Sequence, residues 1–340
     1  MGSVMVTMQD VARRAGVSVM TVSNVVNEQP RVRAATRAKV LEAIAELGYH
    51  VNTAARSLRQ GRTGVIVLAV PEIDRPYFGL LTGLLIERAA ARGYDVLVEQ
   101  TAARRDRELD AIGRSRLRSY DGLILSAVQL HDDDAGLLRG DFPIVLLGER
   151  SYTQPLDHVV MANEEGAALA ARHLIERGSR RIAMLGGRVG APDDIDATTL
   201  RARGFLAALA EAGMPADERI IRPAELTYEG GDRAALELLD EFGHIDGLFC
   251  ATDVVAIGAV RALTDRGLRV PEDVRVVGFD DVPLASFLTP SLTSVAPDHV
   301  AMADAVVSMI VDRIEGARPA DDYRVFTAPV RLAERESTRA

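Results

Sequence analysis

Residues near the start of the chain have the types and the spacing needed to read the edges of DNA bases. Met8–Asn27 reads MQDVARRAGVSVMTVSNVVN, which predicts two short helices capped by Thr7 and Ser18 and joined by a tight turn at Gly16. The second helix places three valines on one face at i, i+3, i+4 spacing (Val22, Val25, Val26). Its opposite face carries Val19, Met20, Ser23, Asn24 and Asn27. A helix-turn-helix presents such a face to the major groove, although an ordinary helical hairpin has the same caps and glycine.

The distribution of charge along the chain favours the DNA-binding interpretation. The whole chain carries −9, but residues 1–62 hold nine basic and four acidic side chains, so this segment carries +5 and the remainder −14. A basic head on an acidic body is typical of a protein in which the head alone meets phosphate. The start, MGSVMVTMQD, lacks the pattern of a signal peptide, no run of about 18 apolar residues predicts a membrane span, and there is a single cysteine. We therefore expect a cytoplasmic protein without disulfides.

The segment after the two helices strengthens the prediction of a DNA-binding head. A third helix is expected over roughly Ala34–Leu47, ended by Gly48, and its apolar face would close a three-helix core. The matching motifs are Asp10-Val11-Ala12, Ala15-Gly16-Val17-Ser18, Thr21-Val22-Ser23, Asn27, Thr36-Arg37, Leu47-Gly48-Tyr49 and Asn52 with Ala55-Arg56-Ser57-Leu58. In this order they resemble the lactose/purine repressor (LacI-type) family of bacterial transcription regulators.

The resemblance implies that two segments contact DNA. The set in the helix-turn-helix is Thr7, Ser18, Val19, Met20, Thr21, Ser23, Asn24 and Asn27, and the set in the hinge is Asn52, Ala55, Arg56 and Leu58. Base reading falls to Val19, Met20 and Asn24. The Asn24 amide can bond an adenine edge at two atoms, and the two apolar side chains can touch thymine methyl groups.

The resemblance also implies that Asn52–Gln60 form a hinge helix, within a hinge and linker segment at 51–62. So short a helix is costly to nucleate, so we expect it to order only beside its symmetry mate on DNA. Leu58 would then enter the minor groove as an apolar wedge. Core packing under a linker is the alternative for Leu58, but the neighbouring Arg56 and Arg59 favour the DNA-facing role. The chain departs from the family where Val51 replaces a usual proline and Arg33 a common capping serine.

The rest of the chain alternates apolar runs with helical stretches, which predicts parallel sheets covered on both faces. The runs are Val65–Val70, Asp95–Val98, Gly122–Ser126, Ile144–Leu147, His158–Met161, Arg181–Leu185, Gly247–Ala251 and Val274–Phe279. Helices are expected near 77–92, 104–117, 163–177, 198–212, 230–242, 253–267 and 298–315. So many units predict two doubly wound lobes.

The predicted fold class is therefore α/β: a three-helix helix-turn-helix headpiece with a hinge helix, followed by a two-lobed doubly wound domain. The predicted boundaries are 1–50 for the headpiece, 51–62 for the hinge and 63–340 for the two lobes. The resemblance implies the fold of periplasmic sugar-binding proteins, with the chain crossing between lobes near 162, 291 and 322. Lobe 1 would then comprise about 63–162 and 292–322, and lobe 2 about 163–291 and 323–337.

Ligands of such sheets bind beyond the carboxyl ends of the strands, in the crevice between lobes. The loop after Val65–Val70 offers Tyr77 and Phe78 there. The resemblance places Arg201, Thr252 and Asp280 on the effector. An arginine fork opposite a carboxylate suits the vicinal hydroxyls of a sugar, because each group bonds two hydroxyls at once. Asp253 and Asp281 are interpreted as helix caps, and the acidic triplets at 132–134 and 193–196 as solvated loops rather than a metal site.

No pattern of a catalytic, cofactor or metal site is present in the sequence. The only lysine, Lys39, follows Ala38, so there is no phosphate-binding GK[ST], and GxSxG, HExxH and CxxC are also missing. Cys250 lies in an apolar run and is expected to be a buried thiol. The alternative function is a solute- or sugar-binding protein without a DNA role, against which the basic head argues. We expect a transcriptional repressor that binds pseudo-palindromic double-stranded operator DNA as a homodimer or higher oligomer. Its DNA binding is expected to be controlled by a small effector, with a carbohydrate as the leading candidate. Whether the effector releases or recruits DNA is left open.

Overall fold

The computed structural model describes residues 6–26, 29–49, 62–117, 120–150, 152–191, 195–215, 217–319 and 321–339. The chain divides into two compact units, Met1–Thr63 and Gly64–Ala340. Within the first unit the described helices are α1 (Met8–Ala15), α2 (Val19–Val26) and α3 (Ala34–Leu47). Of the predicted hinge, residues 51–61 lie outside the described part of the chain.

The three helices of the first unit enclose one small apolar core. Its buried members are Val11, Ala12, Val22, Val25, Val40, Ala43 and Tyr49. Gly16 forms the turn between α1 and α2, and Gly48 ends α3. Their φ angles of 64° and 60° are ones that glycine adopts without steric cost. At the start of α3, Arg33 makes no capping hydrogen bond with its side chain, as its replacement of a serine predicts.

The second unit contains two six-stranded sheets. The strands are β1 Val65–Val70, β2 Asp95–Gln100, β3 Gly122–Ser126, β4 Ile144–Leu147, β5 His158–Met161, β6 Ile182–Leu185, β7 Ile221–Arg222, β8 Gly247–Cys250, β9 Arg275–Phe279, β10 Thr293–Pro297, β11 Val325–Ala328 and β12 Val330–Ala333. The order in lobe 1 is β11-β5-β4-β3-β1-β2, and in lobe 2 it is β12-β10-β9-β8-β6-β7. Every pairing is parallel except that of β10 with β12. The predicted fold class is confirmed.

Helices cover both faces of each sheet. They are α4 Pro76–Ala91, α5 Arg105–Leu117, α6 Asn163–Glu176, α7 Ala197–Glu211, α8 Tyr228–Phe242, α9 Asp253–Asp265 and α10 His299–Ile314. In lobe 1, α4 and α10 pack on one face and α5 on the other. In lobe 2, α8 and α9 pack on one face and α6 and α7 on the other. Both faces of the central strands are thus withdrawn from water, which explains their continuous apolar runs. No helix within the described ranges is long and apolar enough to cross a membrane.

The chain crosses between the lobes three times, and two of the predicted positions need correction. The first crossing follows β5 at Ala162, close to the predicted 162. The second follows β10 at Asp298 rather than lying near 291, because β10 pairs with β9 and β12 in lobe 2. The third lies at Pro329, between β11 and β12, rather than near 322. The differences have one cause: β10 and β11 are short strands without a long apolar run, and each lies just before the crossing that it displaces.

Candidate functional site

The outer face of α2 presents apolar side chains to solvent. Met20 is 70% exposed and Val19 is 42% exposed, whereas Val22 and Val25 on the opposite face are buried in the core. Asn24 lies on the same helix and is half-buried. Exposed apolar groups beside an amide are the combination that can contact thymine methyl groups and an adenine edge.

The hydroxyl residues predicted to contact DNA also build the helix starts. Thr7 and Asp10 form a reciprocal capping box at α1, and the hydrogen bond from Thr7 lowers the pKa of Asp10. Ser18 Oγ accepts the Thr21 N–H at 3.1 Å and lies 2.9 Å from the Thr21 hydroxyl. Arg37 donates to the carbonyl of Gln29 at 2.9 Å, which fixes the chain just beyond α2. These contacts set the orientation in which α2 presents its outer face.

Of the remaining predicted DNA contacts, one lies on α2 and five lie outside the described residues. Ser23 lies on α2 and is half-buried. Asn27, Asn52, Ala55, Arg56 and Leu58 lie outside the described residues. Their roles remain predictions from the sequence.

In the second unit, Arg201 is the centre of a buried polar cluster at the carboxyl edges of the two sheets. Its Nε donates to Asn163 Oδ1 at 2.7 Å, its Nη1 donates to the carbonyl of Ala251, and its guanidinium lies 3.5 Å from the ring centre of Phe279. Its Nη2 is 3.5 Å from Asp280 Oδ1, longer than a strong ionic hydrogen bond. Hydrogen bonds to Asn163 and Ala251 therefore fix the guanidinium, whereas its contact with the Asp280 carboxylate is long.

Asp280 is a buried carboxyl group whose pKa is shifted by its surroundings. Burial raises its pKa to about 6, and the neighbouring Arg201 opposes that rise. Tyr77 lies close enough for both Asp280 and Arg201 to affect its own pKa, which burial raises. The structure thus brings three of the five predicted effector residues together: Tyr77, Arg201 and Asp280.

Phe78 and Thr252 are placed differently. The Phe78 ring lies edge-on to Tyr77 at 5.0 Å and packs against the core of lobe 1. Thr252 caps α9, its Oγ1 accepting the Val255 N–H at 3.3 Å. The prediction that Asp253 is a helix cap is wrong: its buried carboxylate accepts hydrogen bonds from Ser294 Oγ at 2.6 Å and from the Val282 N–H at 2.8 Å. Burial raises the Asp253 pKa well above its usual value.

The two remaining acidic interpretations also need correction in part. Asp281 caps no helix; its carboxylate accepts from Arg335 at 2.6 Å. Of the triplet 132–134, Asp134 is buried and pairs with Arg105 at 2.5 Å, because a short 3-10 helix turns it inward. Asp196 caps α7, and residues 193–194 lie outside the described part. Among the described residues there is no group of His, Cys, Asp or Glu that could hold a metal ion.

The cluster contains three further side chains that are not among the residues predicted from the sequence. Glu149 follows β4, accepts the Met161 N–H at 3.1 Å, and has its pKa raised by burial while Arg201 lowers it. Asn163 is the acceptor for Arg201. His299 stacks obliquely on Tyr77 at 5.8 Å, and no described residue provides a partner for its buried Nε2. Their positions could have identified them in the sequence, since each lies just after a strand or a crossing between the lobes.

Cys250, by contrast, has no part in a site. It ends β8, is fully buried, and burial raises the pKa of its thiol. The prediction of an inert core thiol agrees with this environment.

Comparison with known proteins decides the family. Residues 7–52 match the model for bacterial regulatory proteins of the lacI family, and residues 171–338 match a periplasmic binding protein-like domain. The ribose operon repressor of Halalkalibacterium halodurans is 33% identical over 335 residues, covering 98% of each chain. The chain belongs to the lacI family of bacterial regulatory proteins. It is accordingly a DNA-binding transcription regulator with an effector-binding domain, and its relatives are regulators, not enzymes.

Solved structures of lacI-family members agree along nearly the whole chain. The lac repressor dimer bound to operator and the anti-inducer ONPF has a TM-score of 0.82 and 29% identity, with 98% of this chain and 99% of that one covered. The complex of the regulator CelR with cellobiose has a TM-score of 0.72 and 32% identity, with the same coverage.

Proposed function

We propose that this lacI-family chain is a cytoplasmic repressor that binds a pseudo-palindromic operator as a homodimer and is controlled by a small carbohydrate bound in the cleft between its lobes. The observation that carries the proposal is the Arg201–Asp280 arrangement. A guanidinium fixed by Asn163 and Ala251 faces a buried carboxylate 3.5 Å away. Two neighbouring hydroxyls of a sugar can satisfy both groups at once, which their mutual contact does not.

The rest of the cleft suits the same ligand. Tyr77 supplies an apolar ring face for the non-polar side of a sugar, and the His299 Nε2 and the Glu149 carboxylate supply further hydrogen-bonding atoms. Buried polar atoms of this kind are costly when unpaired, so a ligand that pairs them gains both affinity and specificity. The sugars named in the relatives, ribose and cellobiose, set the chemical range in which we place the effector.

For the DNA contact, we place Val19, Met20 and Asn24 on base edges. Phosphate affinity then comes from the basic side chains of residues 1–62, so binding should weaken steeply with added salt. Leu58 is assigned to the minor groove of the central step on the strength of the sequence.

Fluorescence anisotropy tests both the DNA-binding and the effector-binding parts of the proposal. The DNA is the fragment upstream of the protein's own gene, and the complex is titrated with a panel of sugars and nucleosides. We expect salt-sensitive binding that one sugar changes by about 5- to 150-fold. Leu58→Ala should weaken DNA binding and leave the thermal shift by that sugar intact, and Asp280→Ala should do the reverse. Failure to bind any such fragment at low salt, with or without the panel, would refute the repressor assignment. Binding of a nucleoside in place of a sugar would refute the carbohydrate assignment alone.

A further inference from the structure

The turn that follows β9 has an unfavourable backbone. Asp280 and Asp281 have φ angles of 104° and 49°, values that residues with a Cβ rarely adopt. Two such residues in succession persist only where the surroundings hold them. The turn matters because it aims the Asp280 carboxylate at Arg201.

Three consecutive backbone N–H groups of the turn are tied to lobe 2. Asp280 N–H donates to the Val295 carbonyl at 2.9 Å, and Asp281 N–H donates to Ser294 Oγ at 3.0 Å. Val282 N–H donates to the carboxylate of Asp253 at 2.8 Å. These bonds fix the path of the turn on the side of β10 and α9, and leave the Asp281 side chain to be held from the other side.

Arg335 provides that hold. Its Nη2 donates to Asp281 Oδ1 at 2.6 Å while Nη1 donates to the Leu292 carbonyl at 2.7 Å. Its backbone exchanges hydrogen bonds with the Thr293 hydroxyl, so the arginine is itself fixed. The side chains of Arg335 and Asp281 are only 22% and 14% exposed, which limits screening by water. By contrast, Arg331 is 73% exposed and lies 4.0 Å from the same carboxylate.

We propose that Arg335 is a positioning residue of the effector site: its ion pair with Asp281 holds the strained turn so that the Asp280 carboxylate faces Arg201. Arg335 follows β12, the strand that the chain enters after its third crossing, so the same contact joins the effector loop to a crossing segment. The inference rests on the proposed function, because it takes Asp280 as an effector contact.

The full-length protein tests this without a known ligand. The measurement is the thermal midpoint shift that Asp280→Asn causes at pH 5.0 and at pH 7.5, made in parallel in chains that also carry Arg335→Gln, Arg335→Lys, Arg331→Gln or Arg177→Gln. Arg331→Gln removes the same charge near the same carboxylate. Arg177→Gln removes an ion pair with Glu334, which anchors the same terminal segment away from the turn. Because each shift is a difference within one background, a background that is merely less stable does not alter it.

In the wild-type background, the stabilising shift caused by Asp280→Asn should be larger at pH 7.5 than at pH 5.0. We expect this pH-dependent increase to be at most half as large in the Arg335→Gln background and to be partly restored with Arg335→Lys. It should be unchanged in both control backgrounds. The reason is that a loosened turn lets Asp280 reach water, so its pKa returns toward the usual range. If the increase of the thermal shift between pH 5.0 and pH 7.5 is as large in the Arg335→Gln background as in the Arg177→Gln background, the proposal is overturned.

A second readout separates this failure from failure of the proposed function. Calorimetric titration with D-ribose and with cellobiose is made on the wild type, Asp280→Asn and Arg335→Gln. Loss of sugar binding in Asp280→Asn with full affinity in Arg335→Gln contradicts the positioning role and keeps the effector site. Retained binding in Asp280→Asn removes Asp280 from the effector site, and the inference falls with it. If neither sugar binds the wild type, the thermal shifts alone decide on Arg335.

Discussion

Asp280→Asn should weaken effector binding strongly and at the same time stabilise the empty protein. Burial raises the pKa of Asp280 from its ordinary value of 3.8 to about 6, in spite of Arg201. The folded chain therefore holds this proton more tightly than the unfolded chain does. The stability that this provides is full below pH 3.8 and is lost as the pH rises through about 6, and the loss amounts to about 3 kcal/mol at most, since one pKa unit corresponds to about 1.4 kcal/mol.

Asparagine avoids that loss without changing the shape of the side chain. It tolerates a positive φ better than most residues, and it carries no charge that must be buried. Arg201 keeps Asn163, the Ala251 carbonyl and the nearby Glu149 as partners. We expect the free energy of unfolding to rise by about 1–3 kcal/mol at pH 7.5 and to equal that of the wild type near pH 4. Sugar affinity should fall about 100-fold, because a charged acceptor of hydroxyl groups is lost.

Urea unfolding followed by circular dichroism, at matched protein concentration, measures the first effect, and calorimetric titration measures the second. Glu149, whose pKa burial also raises, is present in both proteins. Besides burial, the charge of Asp280 raises the pKa of Asp253 as well, so its removal relieves Asp253 too and adds to the difference with the same sign. A mutant that is less stable than the wild type at pH 7.5, or a difference that does not grow between pH 4 and pH 7, would refute the reasoning.

Three further outcomes are expected. Met20→Ala should change base preference at one operator position and leave the salt dependence of binding unchanged, because methionine carries no charge; anisotropy over a salt series checks both. Gly204→Ala should lower the free energy of unfolding by about 1–3 kcal/mol, since its Cβ would lie 2.0 Å from the Glu164 carbonyl oxygen, whereas Gly83→Ala, with nothing within 4 Å, should not. Phe287→Ser should weaken the homodimer in sedimentation and leave the circular dichroism unchanged, because Phe287 is 82% exposed beside the exposed Leu284.

Helices and strands were predictable where apolar residues recur in a clear pattern along the sequence. The sequence predicts β1, β3 and β4 at their observed bounds because their apolar runs are buried, and α3 because Gly48 ends an apolar-faced helix. The bounds of β5 are also as predicted, although only Val159 of this strand is fully buried. Strand β10, in contrast, begins with Thr293 and Ser294 and ends with Pro297, so its residues do not form an apolar run although they are buried. Its polar side chains are paired with Asp253, Arg335 and Thr338, contacts that exist only once the chain has folded.

The same limit explains the effector cluster. Tyr77 and Asp280 could be selected because each follows the carboxyl end of a strand, one in each sheet, and Arg201 because of its motif. Glu149 and His299 lie at equivalent positions, but a lone glutamate or histidine in a loop is seldom distinguishable from a solvated one. Glu149 is marked by burial beside Arg201 of the other lobe, and His299 by its contact with Tyr77, and both environments exist only once the chain has folded.

The three crossings give a physical reason for expecting effector and operator to be coupled. Asn163 follows the first crossing and holds Arg201, and His299 follows the second and stacks on Tyr77. After the third comes β12, which leads to Arg335 and so to the turn that carries Asp280. Any change in the angle between the lobes must rotate the backbone at these crossings, and each crossing is attached to a residue of the cleft. A ligand that bridges the cleft therefore favours one lobe angle, and whatever else senses that angle must alter ligand affinity by the same factor. Equal factors for operator on sugar binding and for sugar on operator binding are the expected result, and a measured inequality would show that the two ligands do not act through one pair of states.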